Sequence, residues 1–105
     1  MIKRLREQAE LEKAVSSHGD TLVLVNFFSM RNSLCTSFMT VYEVFSQQYP
    51  QLKFVQVDVN ISTDIAEQYK INSLPVTQFY KNGQKVDEVI GANEENLRRK
   101  IEEHK

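Results

Sequence analysis

From Leu22 to Phe28 the chain reads Leu-Val-Leu-Val-Asn-Phe-Phe, an almost unbroken apolar run. It is too short to cross a bilayer and too apolar for a strand with one wet face. It predicts a strand buried on both faces, at the centre of a sheet with helices on either side. The period then changes. Asn32 and Ser33 are residue types that cap helix N-termini. Leu34, Phe38, Val41, Tyr42, Phe45 and Tyr49 follow as one broad apolar stripe at helical spacing, which predicts a helix over Ser33–Gln48, with Pro50 just past its end. Leu52–Val59 then alternates, with Leu52, Phe54, Val55, Val57 and Val59 apolar and Lys53, Gln56 and Asp58 not, which predicts a second well-buried strand.

The remaining pattern fits around this unit. Ile2–Leu5 reads as a short edge strand. Glu7–Ser17 carries Leu11, Ala14 and Val15 at helical spacing and is stopped by Gly19. The central strand extends over Thr21–Ser29. Ser62 or Thr63 caps a short helix bearing Ile65, Ala66 and Tyr69. Val76–Lys81 and Gln84–Ile90 are strands joined at an Asn82-Gly83 turn. Gly91-Ala92 breaks the pattern, and Asn93 caps a last helix in which Leu97 and Ile101 face inward. The order βαβαβαββα places the chain in the α/β class. Strands separated by helices cross over and run parallel, and the final hairpin is antiparallel. The expectation is one domain over residues 1–105, a five-stranded mixed sheet with four flanking helices and no repeat or linker.

Charge narrows the function classes. Thirteen basic and 14 acidic residues give a net charge of −1, which argues against a general nucleic-acid or anionic-membrane binder. No apolar run is long enough to span a membrane. The charged N-terminus has no apolar stretch behind it and does not read as a signal peptide. One cysteine cannot form an internal disulfide, so a reducing cytoplasmic or nuclear setting is expected.

This order, with these residues in it, resembles the thioredoxin family, in particular the animal and fungal cytosolic thioredoxins. The resemblance covers essentially the whole chain. It rests on Leu22-Val23-Leu24-Val25-Asn26-Phe27, on Phe54-Val55-Gln56-Val57-Asp58-Val59, on Leu74-Pro75-Val76, on Phe79-Tyr80-Lys81-Asn82-Gly83-Gln84-Lys85-Val86 and on Gly91-Ala92-Asn93. The resemblance implies the thioredoxin fold, with Pro75 cis and its loop facing the active-site turn. The family motif Trp-Cys-Gly-Pro-Cys is here Arg31-Asn32-Ser33-Leu34-Cys35. Asn32 stands where the family has its nucleophilic cysteine, and Cys35 keeps the second cysteine. Asn26 replaces the buried aspartate that moves a proton to or from that second thiol. Thr40 replaces a helix proline, so one cause of the usual kink is gone.

The family's disulfide reduction is a two-thiol relay. A thiolate at a helix N-terminus attacks the substrate disulfide, and the second thiol resolves the mixed disulfide. A carboxamide at Asn32 cannot attack sulfur, and Asn26 cannot accept a proton as a carboxylate does. Two readings of Cys35 remain: a small apolar residue packed under the turn, or a lone thiol that forms mixed disulfides with glutathione or a protein. Asn32 reads as a helix cap, and Arg31 as a solvated charge or a contact to a partner. One cysteine, with His18 and His104 read as distant surface residues, offers no metal-ligand spacing. The last helix has a solvated charged face with i,i+4 pairs.

In relatives the backbone beside the cis proline pairs with an extended peptide. By resemblance, a peptide groove here would involve Arg31, Leu34, Ser73, Leu74, Pro75, Gly91 and Ala92, with Met30 and Ile61 adding apolar wall. The resemblance and these departures from it imply a non-catalytic module for a protein or extended peptide, with no cofactor, monomeric or weakly dimeric. The alternative is a single-thiol redox protein that uses Cys35.

Overall fold

The computed structural model describes residues 2–105. Its elements follow in the order β1 (Lys3–Arg4), α1 (Gln8–Ser16), β2 (Val23–Phe28), α2 (Ser33–Gln48), β3 (Lys53–Asp58), α3 (Thr63–Gln68), β4 (Val76–Lys81), β5 (Gln84–Ile90) and α4 (Glu94–His104). They form one five-stranded sheet in the order β1-β3-β2-β4-β5. β1 and β2 each run parallel to β3, while β4 runs antiparallel to both β2 and β5. This is the five-stranded mixed sheet that the pattern predicts, and the thioredoxin fold that the resemblance implies.

β2 lies in the middle with every residue buried. Its two faces serve two cores. Val23, Val25 and Phe27 pack with Leu11 and Val15 of α1, Ile65 of α3 and Val55 and Val57 of β3. Leu22 and Leu24 pack with Phe38, Tyr42 and Phe45 of α2, Phe79 of β4 and Leu97 and Ile101 of α4. An apolar run is therefore needed on both faces, and its one polar residue, Asn26, is buried with its amide bonded to Thr77. Tyr42 is fully buried, and its hydroxyl lies 2.9 Å from the carbonyl oxygens of both Leu24 and Val55, its one hydrogen shared between them. At the hairpin, Asn82 and Gly83 both have positive φ, 54° and 77°, which matches the right-handed twist of the strands it joins.

The stripe on α2 differs from the expectation at its start. Leu34 is 58% exposed and outside the core, because the buried face of α2 runs through Cys35, Phe38, Tyr42 and Phe45 and Leu34 falls at its margin, on the side of half-buried Val41. Ser62 occupies the position before α3, but its hydroxyl donates to the carbonyl of Arg6 at 3.0 Å instead of capping the helix.

His104 also departs from its expected surface role. Its side chain is 19% exposed, and Nε2 sits 2.8 Å from Asp87 Oδ2. Lys100 donates to Asp87 Oδ1 at 2.5 Å and to the carbonyl of Glu88 at 3.1 Å. Together they fasten α4 to the edge strand β5. Burial pushes the Asp87 carboxyl up, but hydrogen bonds from Lys100, His104 and the Glu88 backbone prevail and hold it at about 2. An unfolded Asp titrates near ~3.9. This stabilisation is thus complete above about pH 4 and lost as pH falls towards 2. Asp87→Asn is expected to lower unfolding free energy by about 1–2 kcal/mol at pH 7. Urea denaturation at pH 7 and pH 3 checks this: the deficit should shrink at the lower pH, and a deficit equal at both would rule the linkage out.

Candidate functional site

The strand register gathers the sequence-predicted residues at one end of the sheet. Phe27 pairs with Val76, and Val76 with Ile90, while Phe28 pairs with Asp58. The segments that leave or enter these positions therefore share that end: Ser29–Leu34, Val59–Ile61, Ser73–Pro75 and Gly91–Ala92. The Leu74–Pro75 peptide is cis. The Pro75 carbonyl accepts from the Gly91 N–H at 2.7 Å, which joins two of the segments directly. Gly91 has φ +92°, a conformation that a side chain would strain.

The turn after β2 is pinned by a residue that the pattern did not single out. The Ser29 hydroxyl bonds to Asn60 Oδ1 and accepts from the Arg31 N–H at 3.2 Å. Asp58 Oδ1 accepts from the Asn60 N–H at 2.9 Å. A serine directly after a buried strand is a local turn signal that would have found this. Asn32 then begins α2: its Oδ1 accepts from the Cys35 N–H at 3.1 Å, the bond that makes asparagine a good cap.

That cap lies three residues before the chain's one thiol. Cys35, one turn in, is 1% exposed. Burial pushes its thiol above the ordinary range, a backbone hydrogen bond at Ser29 only partly offsets this, and the Asp58 carboxylate adds to the rise. The usual activation of a thiol at a helix N-terminus is therefore outweighed by desolvation. Asn26 is 1% exposed in the sheet interior, and its Nδ2 donates to Thr77 Oγ1 at 3.1 Å. It supplies a neutral hydrogen bond and has no carboxylate to titrate.

Around the turn the surface is apolar and open. Met30, Leu34 and Ile61 are 51%, 58% and 58% exposed. Arg31, Ser73 and Ala92 are exposed, Leu74 and Gly91 are half-buried and Pro75 is buried. Leu74 also rests on the core shared by α1 and α3, so it is less free than a loop position suggests. Among the described residues, Asp87, Glu103 and His104 bring ligand-type atoms within 4.8 Å of one another. The Lys100 ammonium already occupies Asp87 Oδ1 there, so the group is an ion-paired joint.

The chain matches the Thioredoxin family model over residues 3–103. The chain belongs to the thioredoxin family. It is 35% identical to the thioredoxin of Ictalurus punctatus, with each protein covered in full. It is 33% identical to that of Homo sapiens over 98% of each. The solved thioredoxin of Fasciola hepatica superposes with a TM-score of 0.95 at 32% identity, covering 99% of this chain and 100% of that one. The fold and framework are thus those of thioredoxins, and the lone cysteine sits on α2 one turn past Asn32. Among the described residues no helix is long and apolar enough to cross a membrane.

Proposed function

We propose that this chain is a thioredoxin-family binding module that holds an extended peptide or protein partner without turning over disulfides. The observation that carries this reading is the pairing at the start of α2: a capping carboxamide at Asn32, and beneath it a buried thiol with a raised pKa. The apolar surface of Met30, Leu34 and Ile61, beside Leu74 and the cis proline, supports a docking role that needs no sulfur chemistry. Arg31 lies on that rim in no ion pair among the described residues, which favours a partner acidic at that point. A single inaccessible thiol suits a reducing compartment such as the cytoplasm. The alternative, exchange of Cys35 with glutathione, requires a thiolate that burial disfavours.

Titration with extended acidic peptides, together with recovery of partners, should show binding that weakens with salt. Arg31→Glu and Leu34→Asp are expected to reduce it at least about tenfold while changing stability by less than about 0.5 kcal/mol, both being exposed. If every ligand of the wild type binds both variants equally well, the groove is not the binding surface.

A further inference from the structure

A row of polar side chains crosses the sheet beneath α2. Arg4 pairs in register with Gln56, Gln56 with Asn26 and Asn26 with Thr77. Residues opposite one another in a ladder lie on the same face. Asn26 and Thr77 satisfy each other. Gln56 is left over: it is 5% exposed, its backbone carbonyl accepts from the Leu5 N–H, and its amide has no protein partner among the described residues. A buried amide without a partner costs free energy unless solvent or a ligand reaches it. No described polar side-chain atom is both sealed from solvent and unpartnered, so the Gln56 amide opens into the cavity that it lines.

That cavity is an open surface groove of about 440 Å³ between β1 and α2. Ile2, Met39 and Val44 give it aliphatic walls, and Arg4 and Glu43 line it with Gln56. The Arg4 guanidinium stacks over the Phe28 ring at 5.0 Å, which fixes the side chain and leaves its N–H donors free. Neither the Arg4 guanidinium nor the Glu43 carboxylate forms an ion pair among the described residues. A fixed cation, a separate anion, an unpartnered amide and aliphatic walls match one ligand chemistry. We propose that this cavity binds a small zwitterion with a branched aliphatic group, the chemistry of an aliphatic amino acid. Arg4 and Gln56 take the carboxylate, Glu43 takes the ammonium, and Ile2, Met39 and Val44 flank the side chain. The site lies beside α2 and is independent of the peptide surface.

The test is a titration of the isotope-labelled protein with L-leucine, followed through the methyl resonances of Ile2, Met39 and Val44. Two comparators each lack one charge: 4-methylpentanoate and 3-methylbutylamine. Saturable shifts with leucine are expected, at least tenfold weaker binding of either comparator, and at least tenfold weaker leucine binding by Arg4→Gln and by Gln56→Leu. Arg4 is exposed, so Arg4→Gln keeps the test decisive if Gln56→Leu does not fold. Absence of saturable shifts overturns the proposal. So does wild-type leucine affinity in Arg4→Gln, or 4-methylpentanoate binding as tightly as leucine.

Discussion

An insulin-reduction assay driven by NADPH and a thioredoxin reductase is expected to show no turnover above the protein-free control. Reduction by a dithiol passes through a mixed disulfide that a second thiol resolves, and the resulting internal disulfide is then recycled. With a single cysteine that disulfide cannot form. Position 32 supplies a cap acceptor to the Cys35 N–H, and a carboxamide is no nucleophile. Cys35 itself is 1% exposed with its thiol pushed up by burial. Its alkylation in the folded protein should therefore be at least about tenfold slower than in urea. Asn32→Cys is expected to restore measurable turnover, but less than a dithiol thioredoxin gives, since Asn26 still cannot accept a proton and Ser33-Leu34 separates the thiols. It should also cost about 1 kcal/mol of stability through loss of the cap. Turnover by the wild-type chain would overturn the non-catalytic reading.

Much of the fold was legible because the decisive signals are local and periodic. The run from Leu22 to Phe28 has no polar face to place, so it had to be central, and both cores claim it. The caps at Asn32 and Asn93 are short-range devices whose partners lie three residues on, and Asn82-Gly83 is a two-residue turn between adjacent strands. At element ends, periodicity does not report burial. Leu34 is spaced like Phe38 and Phe45, yet it falls at the margin of the face that Cys35, Phe38, Tyr42 and Phe45 bury and stays exposed. His104 has a polar tail on either side in sequence, but Asp87, seventeen residues away in the chain, brings it in. The alternation of β3 marked Gln56 as polar and stopped there. Its burial beneath α2 and its lack of a partner depend on the positions of Arg4 and Met39, which only the three-dimensional arrangement supplies. The proposed non-catalytic reading, by contrast, is legible in residue types alone, since the carboxamides at 26 and 32 are neither nucleophile nor base.

Asn26→Asp is expected to destabilise the protein by about 2–4 kcal/mol at pH 7, more than any surface change considered above. The substitution is nearly isosteric, so packing is preserved and the effect is electrostatic. Asn26 is 1% exposed, and its register neighbours are Gln56 and Thr77, neither of them charged. The carboxylate would also lose the amide donor now given to Thr77, although the Thr77 hydroxyl can turn to donate instead. Desolvation with one hydroxyl donor and no paired cation raises a buried carboxyl by up to about three units, each worth about 1.4 kcal/mol. The sign follows from a folded pKa above the unfolded value of ~3.9. The penalty is absent below about pH 4, grows as pH rises through the folded pKa and is constant beyond it. Urea denaturation of the variant and the wild type from pH 4 to pH 8 should show the two curves diverging with pH. A gap equal at every pH would mean that packing, not charge, is responsible. Combined with Asn32→Cys, the same change should raise turnover above that of Asn32→Cys alone while lowering stability, because the group that accepts the proton is the one that the core resists. A double variant no more active than Asn32→Cys would show that proton transfer at position 26 is not what limits the restored relay.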